Sequence, residues 1–438
     1  FNDVMFCFTL RSLGLWNIYI ADPLLIHYES KSRGYDDTLE KQARNRLEAQ
    51  KAWETHPSLM RNDPHYSPNL SLWEPYRLSF APRRKSAWAT NSGRRAKVLF
   101  LSCVHAIGHG VPVVIAIQAE ALIKCGFDVV IGGPRSDNDY PYPGCTRIEV
   151  HDSVEAVTQA VINSVDVIIA QTMPFFSVSK WAGPYPHVIC YDHGEPPADL
   201  FPDADSRKLV LAEKDLALSM SPSVYAISNA IAMESRTRVD GVIPEGNTHL
   251  GQWNSAAEVA RKHLRDSLGW DGKFVVMNVC RFTQAERIYK GIDKYLDVMR
   301  LLKEKYPESA KNFVFVLCGK GKQEDIRDMK EQGFFVEANV TDDEMYNLYC
   351  AADAYANFSR WEGFNLGIAQ ALAMGLPVVA SDIPAHRAFK VNVTNSSEFV
   401  ADWLIARLQA EEARNPVLID WKQATDQLIE VVENILTK

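Results

Sequence analysis

The chain has 438 residues, 47% of hydrophobic and 23% of charged type, which suits two or three ordinary globular cores. A formal net charge of −8 disfavours a nucleic-acid binder, which needs a basic face for phosphate contacts. Eight cysteines with no Cys-x-x-Cys pair, several of them inside apolar runs, read as reduced core residues, and no apolar run reaches the roughly 18 residues of a membrane span.

In chain order, the pattern predicts a helix over 4–13, a stop at Gly14, and strands over 17–20 and 24–27. Residues 1–36 resemble the closing part of the inverting, single-domain (GT-A type) glycosyltransferases of family two. The resemblance implies that Asp3 is a base toward an acceptor hydroxyl and that His27 helps to hold a metal on the donor diphosphate. The plainer readings are a helix-start cap and a strand histidine. The nucleotide-binding half with its Asp-x-Asp motif does not precede them. The DND at Asp137 and the DAD at Asp203 stand too far downstream to serve. Residues 1–80 are therefore expected to be the C-terminal remnant of a family-two transferase whose upstream domain is missing and whose active site is inoperative. Residues 81–96 read as a linker, rich in breakers nearby and carrying Arg83, Arg84, Lys85, Arg94 and Arg95. The basic run is short and interrupted, which favours a solvated strap over contact with anionic lipid headgroups.

Lys97 opens a new domain, expected over 97–248. KVLFLSC reads as a buried strand, the stretch from His105 to Gly126 as a Gly-containing loop and helix, and FDVVIGG as the next strand. That βαβ unit predicts a doubly wound parallel sheet. Gly108 and Gly110 let backbone come close to a ligand. A dinucleotide-binding oxidoreductase is disfavoured: the loop is Gly-x-Gly-x-x-Val, and the second strand ends in Gly132 and Gly133 rather than an acid. The sheet continues through 165–171 and 187–197, which puts His193 at the carboxyl end of a strand, where ligands bind in open α/β sheets. VYAISNAIAMESR closes this half, and VIPEGNT, with Gly246, reads as a hinge.

A second Rossmann-like domain is expected over 249–415. Its first strand, FVVMNVC, ends at Arg281, and Lys290 stands at the entry to the next helix; two cations beside a helix start suit a diphosphate. Arg287, in the long intervening loop, is an expected substitute for either. FVFVLCGKG supplies a strand with a Gly-rich exit at Gly319, and FFVEANV another. Residues 357–387, NFSRWEGFNLGIAQALAMGLPVVASDIPAHR, then read as loop, helix, tight turn and buried strand. Gly363, Phe364, Asn365 and Leu366 form a helix start that can hold a phosphate. Residues 416–438 are read as a terminal helix that crosses back to the first half.

This segment resembles the donor-binding signature of the retaining, two-domain (GT-B, group 1) glycosyltransferases of family four, and the resemblance extends from Lys97 to the C-terminus. It implies an α/β fold of two doubly wound parallel-sheet domains facing a cleft, behind the partial GT-A segment. It implies that Glu362 contacts the hydroxyls of the transferred sugar, His193 the sugar near its reacting carbon, and Gln370, where relatives carry Glu, the ribose. Arg281 and Lys290 would take the diphosphate, the 108–111 loop would face the phosphates, and backbone near 334–340 the base. The implied reaction moves a sugar from a UDP-, GDP- or dTDP-sugar to a glycan or lipid-linked glycan hydroxyl with retention. No metal or other cofactor is required. Bacterial cell-surface polysaccharide synthesis is the expected setting, in the cytoplasm or peripherally at the inner face of the membrane. The alternatives are a catalytically weak nucleotide-sugar-binding module and a scaffold joining two transferases.

Overall fold

In a computed structural model of the chain, the described residues are 2–13, 15, 17–18, 38–56, 66–67, 70–71, 76–78, 95–136, 138–150, 164–180, 186–410 and 413–437. His27 with its expected strand, Gly14, Asp137 and residues 81–94 of the linker lie outside them. Helix α1 (Asn2–Ser12) matches the first expected helix, and the carboxylate of Asp3, in its first turn, accepts from the Val4 amide at 2.9 Å. Helix α2 (Leu39–Thr55) begins where Thr38 accepts from the Lys41 amide. Cap and first-turn carboxylate are local helix-start devices.

The first sheet domain runs β1 (Lys97–Leu101), α3 (Gly110–Lys124), β2 (Asp128–Gly133), β3 (Thr146–Glu149), β4 (Val167–Ala170), β5 (His187–Asp192), α4 (Ala204–Ser219), β6 (Ser223–Ala226), α5 (Asn229–Glu234) and β7 (Gly241–Val242). Among the described residues its strands are all parallel, in the order β3-β2-β1-β4-β5-β6-β7. Short apolar runs form these strands because both faces are covered. Val98, Phe100, Ile169 and Ile189 point to one core with Val114 and Ile115 of α3. Their neighbours Leu99, Leu101, Ile168 and Val188 point to the other, with Ala217 and Leu218 of α4. Strand order reverses between β1 and β4, so the loops after β1, β4 and β5 open a crevice at the carboxyl ends.

The second domain runs α6 (Ser255–Leu268), β8 (Phe274–Arg281), α7 (Ile292–Lys305), α8 (Pro307–Ala310), β9 (Phe313–Lys320), α9 (Gln323–Glu331), β10 (Phe335–Ala338), α10 (Asp342–Ala351), β11 (Ala354–Asn357), α11 (Leu366–Ala373), β12 (Val378–Ala380), α12 (Pro384–Arg387), β13 (Asn392–Val393) and α13 (Ser397–Leu408). Its strands are again parallel, in the order β10-β9-β8-β11-β12-β13. Asn365 caps α11, its side-chain oxygen accepting from the Ile368 amide at 3.0 Å. Gly375, at φ +65, ends that helix, as the amides of Gly375 and Leu376 return to the carbonyls of Leu372 and Ala371 at 3.0 and 2.9 Å. That is the paired hydrogen-bond turn a left-handed glycine permits. The last helix, α14 (Trp421–Thr437), puts Trp421, Ala424, Leu428 and Val432 into the same core as α3, so the chain returns to the first domain.

Candidate active site

The carboxyl ends of the two sheets face one cavity of about 330 Å³. The first domain contributes the Gly108–Val111 loop, His193 and Glu245; the second contributes Arg281, Lys290, Gly319 and the Glu362–Gly367 segment. His193, Glu362, Arg281 and Lys290 thus share one lining, as do Gly108, Gly110, Gly319, Gly363, Phe364, Asn365 and Leu366. A larger cleft of about 830 Å³ lies between α2, which precedes the first domain, and α4. Its buried Lys214 is paired with Asp192 at 2.7 Å, and it takes no group from the second sheet.

Lys290 comes at the end of the turn between β8 and α7, and its Nζ donates to Glu362 Oε1 at 2.8 Å while lying 4.3 Å from the centroid of the Tyr289 ring. Burial alone would lower the Lys290 pKa; the Glu362 carboxylate and Tyr289 outweigh it and the net shift is upward. The amine is therefore a fixed positive charge. The loop carrying Glu362 is held to that turn by Arg360, whose backbone amide donates to the Tyr289 carbonyl at 2.8 Å and whose guanidinium grips both oxygens of Asp293. Arg281 reaches the same cavity from the end of β8, paired with Glu286 at 2.9 Å and 35% exposed. In register beside it, at the end of β9, is Lys320. Its Nζ lies 3.0 Å from His109 Nε2. An ammonium has no lone pair, so the imidazole accepts. Burial, then Arg281 and Lys320, push the His109 pKa down to about 3.

His193 follows β5 directly. Gln171 donates its amide nitrogen to Gln118 at 3.1 Å, which leaves its oxygen to accept from His193 Nε2 at 2.6 Å. His193 Nδ1 faces Glu245 Oε1 at 3.6 Å. The approach has ion-pair geometry, but burial, helped by Lys214, lowers the His193 pKa to about 3, and burial raises that of Glu245 to about 8. Both groups are therefore neutral near pH 7, and the contact is one between an imidazole lone pair and a carboxylic acid. Next to them the two domains meet. A Cβ on Gly363 would lie 2.2 Å from the His193 carbonyl oxygen, and Ser228 donates its hydroxyl to the Gly363 carbonyl at 2.6 Å. Only a residue without a side chain allows that approach.

The first residues of helices α3, α10 and α11 line the cavity. The first amides of α11 and of α3 have no partner inside their own helices, so both ends direct donors and a partial positive charge inward. The Asn365 side chain is turned away: besides capping, its amide nitrogen donates to His386 Nε2 at 3.0 Å. Phe364 packs edge-on against Phe389, ring centroids 5.0 Å apart.

Two expectations need correction. Gln370, 1% exposed, contributes nothing to the cavity lining: its amide nitrogen donates to the Gly251 carbonyl at 2.8 Å and its oxygen accepts from the Leu250 amide at 3.4 Å. A neutral amide can satisfy two backbone groups at once, and here it fastens α11 to the segment after the hinge. Arg287 is no substitute for Arg281 or Lys290, because Asp325, at 3.0 Å, Asp328 and the Phe282 carbonyl hold its guanidinium elsewhere. The Asp203 of the DAD triplet caps α4, accepting from the Ser206 amide. Lys320, Glu245 and His109 were not anticipated. A cation at a strand end was visible in CGKG, as it was for Arg281; the partnership of Glu245 with His193 joins residues 52 apart in sequence, and nothing local marks it. Among the described residues no group of three or more His, Cys, Asp or Glu is arranged to hold a metal ion, and no helix is long and apolar enough to cross a membrane.

Residues 273–411 match the family model described as glycosyl transferases group 1. The uncharacterized protein y4gI of Sinorhizobium fredii is 41% identical over 75 residues, 16% of this chain and 8% of that protein, so the chain spans a small part of its curated relative. Among solved structures, sucrose-phosphate synthase from Thermosynechococcus elongatus is similar at TM-score 0.58 and 16% identity, covering 78% of this chain and 100% of that one. WaaG, a glycosyltransferase of lipopolysaccharide biosynthesis, is similar at TM-score 0.54 and 14% identity over 76% and 95% of the two chains. The catalytic domain of starch synthase IV from Arabidopsis thaliana, bound to ADP and acarbose, is similar at TM-score 0.53 and 13% identity over 79% and 100%. The two parallel-sheet domains are therefore those of the GT-B fold, and residues 273–411 are similar to the group 1 glycosyl transferases.

Proposed function

We propose that the chain transfers a sugar from a nucleotide diphosphate sugar to a hydroxyl of a growing glycan or lipid-linked glycan, with retention, in the building of a bacterial cell-surface polysaccharide. The observation that carries this reading is the buried Lys290–Glu362 pair, set beside Arg281 between two helix starts in a cavity shared by both domains. Departure of a nucleoside diphosphate builds negative charge on its terminal phosphate. A fixed ammonium, a guanidinium and inward-pointing amides stabilise that charge before it develops, with no reorganisation at the moment of reaction. Glu362 accepts from the sugar hydroxyls, and its place beside Lys290 couples sugar position to phosphate position. The acceptor's proton goes to the leaving phosphate oxygen on the same face, which gives retention. The similarity of the solved structures supports the fold of this reading, and the family match supports a sugar donor.

Incubation of the purified chain with UDP-, GDP- and dTDP-sugars and glycan acceptors tests it. Release of nucleoside diphosphate that depends on acceptor, resists EDTA, and yields an α-linked product from an α-linked donor is expected. Release that requires magnesium, or an inverted linkage, contradicts it. The engagement of Gln370 with the hinge favours a second reading, a module that binds the donor without turnover; single-turnover conditions with protein in excess separate the two.

A further inference from the structure

Glu362 belongs to the second domain, yet the residues on either side of it are fastened to the first. Before it, Trp361 donates its indole NH to Glu234 at 2.9 Å, and a Cβ on Gly194 would come within 2.9 Å of its ring. After it, the Gly363 carbonyl accepts from the Ser228 hydroxyl at 2.6 Å, and the Gly363 backbone lies against the His193 carbonyl oxygen. Residues 361–363 therefore run along His193 and Gly194, the turn that leaves β5.

Both polar partners in the first domain come from one short helix. Ser228 caps α5, its hydroxyl oxygen accepting from the Ile231 amide at 3.2 Å, and Glu234 is the last residue of that helix. Between them Ile231, 2% exposed, is among the first groups that a side chain on Gly194 would meet. The second domain holds the segment differently, through the Arg360 amide on the Tyr289 carbonyl and through Lys290 on the Glu362 carboxylate. Separation of the domains would leave Glu362 its charge partner and remove what fixes the backbone on both sides of it. A misplacement of about 1 Å can cost a site about 100-fold, so that loss matters. Arg281 and Lys290 belong to the second domain alone, so a diphosphate is held without this bracket. We infer that Ser228 and Glu234 are positioning residues: α5 sets the carboxylate of Glu362, and the grip on the donor's sugar is completed only when the two domains close. This rests on the sugar-donor reading of the same cavity.

Calorimetry of the full chain with UDP-glucose, GDP-mannose and dTDP-glucose, each beside its own nucleoside diphosphate, tests it. The ratio of the two affinities within one variant isolates the sugar and cancels a general loss of stability. For a pair that binds, Glu362→Gln is expected to shift the ratio against the nucleotide sugar by about tenfold, the scale of one net hydrogen bond. Ser228→Ala combined with Glu234→Ala is expected to shift it the same way by a similar factor, with the nucleoside diphosphate bound as before. Glu362→Gln added to that combination should shift it no further, and Ser228→Thr, which keeps the hydroxyl, should match the unsubstituted protein. Glu234 is exposed, so if loss of the cap unfolds the combined variant, Glu234→Ala alone carries the test with a shift of about threefold. A ratio that Glu362→Gln moves and the α5 variants do not, or shifts that simply multiply, overturns the inference and leaves the sugar-donor reading intact. A ratio that Glu362→Gln does not move, or no binding across the panel, overturns that reading and this inference with it.

Discussion

With side chains only 10% and 14% exposed, Lys290 and Glu362 are screened weakly by water, so each depends on the other's charge. Lys290→Ala is expected to destabilise the fold by about 3 kcal/mol because it strands a buried carboxylate, and Lys290→Ala with Glu362→Ala by less than the sum of the single changes. Urea denaturation of the four proteins measures this, and additivity would contradict the pairing. Glu245 makes a second prediction. Its folded pKa, about 8, lies above the unfolded carboxyl value, so between about pH 4.5 and 8 the unfolded chain holds fewer protons and stability falls as pH rises. Below about pH 6.5 the depressed histidines His105, His109 and His193 act in the opposite direction, so it is between about pH 6.5 and 8 that melting temperatures should decline in the natural sequence and stay flatter in Glu245→Gln. Arg281, Lys290, His193 and Glu362 were legible as single letters at strand ends and helix entries, where open sheets place ligands. Gln370 was not, since its partners Leu250 and Gly251 lie some 120 residues away.

The β11–α11–β12 unit was legible almost to its bounds because each boundary has its own chemical signal: Asn365 for the cap, Gly375 for the stop, an apolar run for the strand. Helix α6 left a weaker trace. Only Ala257 of its residues is buried, so most of the sequence there is solvent-facing and charged. The importance of the α11 cap can be measured. Asn365→Ala removes both the acceptor for the Ile368 amide and the donor to buried His386. A loss of about 1–2 kcal/mol in chemical denaturation is expected, and a loss near zero would mean that the cap does not hold the helix start in place. Gly363→Ala should be tolerated worse at the site itself, since its new methyl group would meet the His193 carbonyl and force the two domains apart.

At the scale of the molecule, the two domains are joined over the cavity by single contacts: Lys320 to His109 at 3.0 Å, Tyr140 to Asp342 at 2.8 Å and Trp361 to Glu234 at 2.9 Å. None has a periodic signature, and each links residues more than 100 apart, so the closed arrangement was invisible in the sequence although the two-sheet fold was plain from its βαβ runs. These three contacts are polar, as expected where domains open and close around a ligand, while Trp361, Phe364 and Leu366 of the second domain also pack against the apolar core of the first. Combining Lys320→Ala with Tyr140→Phe should enlarge the radius of gyration seen by small-angle scattering; an unchanged radius would show that α14 and the Gly363–His193 contact suffice for closure. The central claim is that the cavity grips the diphosphate of an activated sugar. Titration calorimetry of the chain against UDP-, GDP- and dTDP-sugars tests it most directly: at least one should bind, and Lys290→Ala or Arg281→Ala should weaken that binding by about tenfold or more, the scale of a charge-assisted hydrogen bond. Absence of binding throughout the panel, or an affinity indifferent to both cations, would contradict the account.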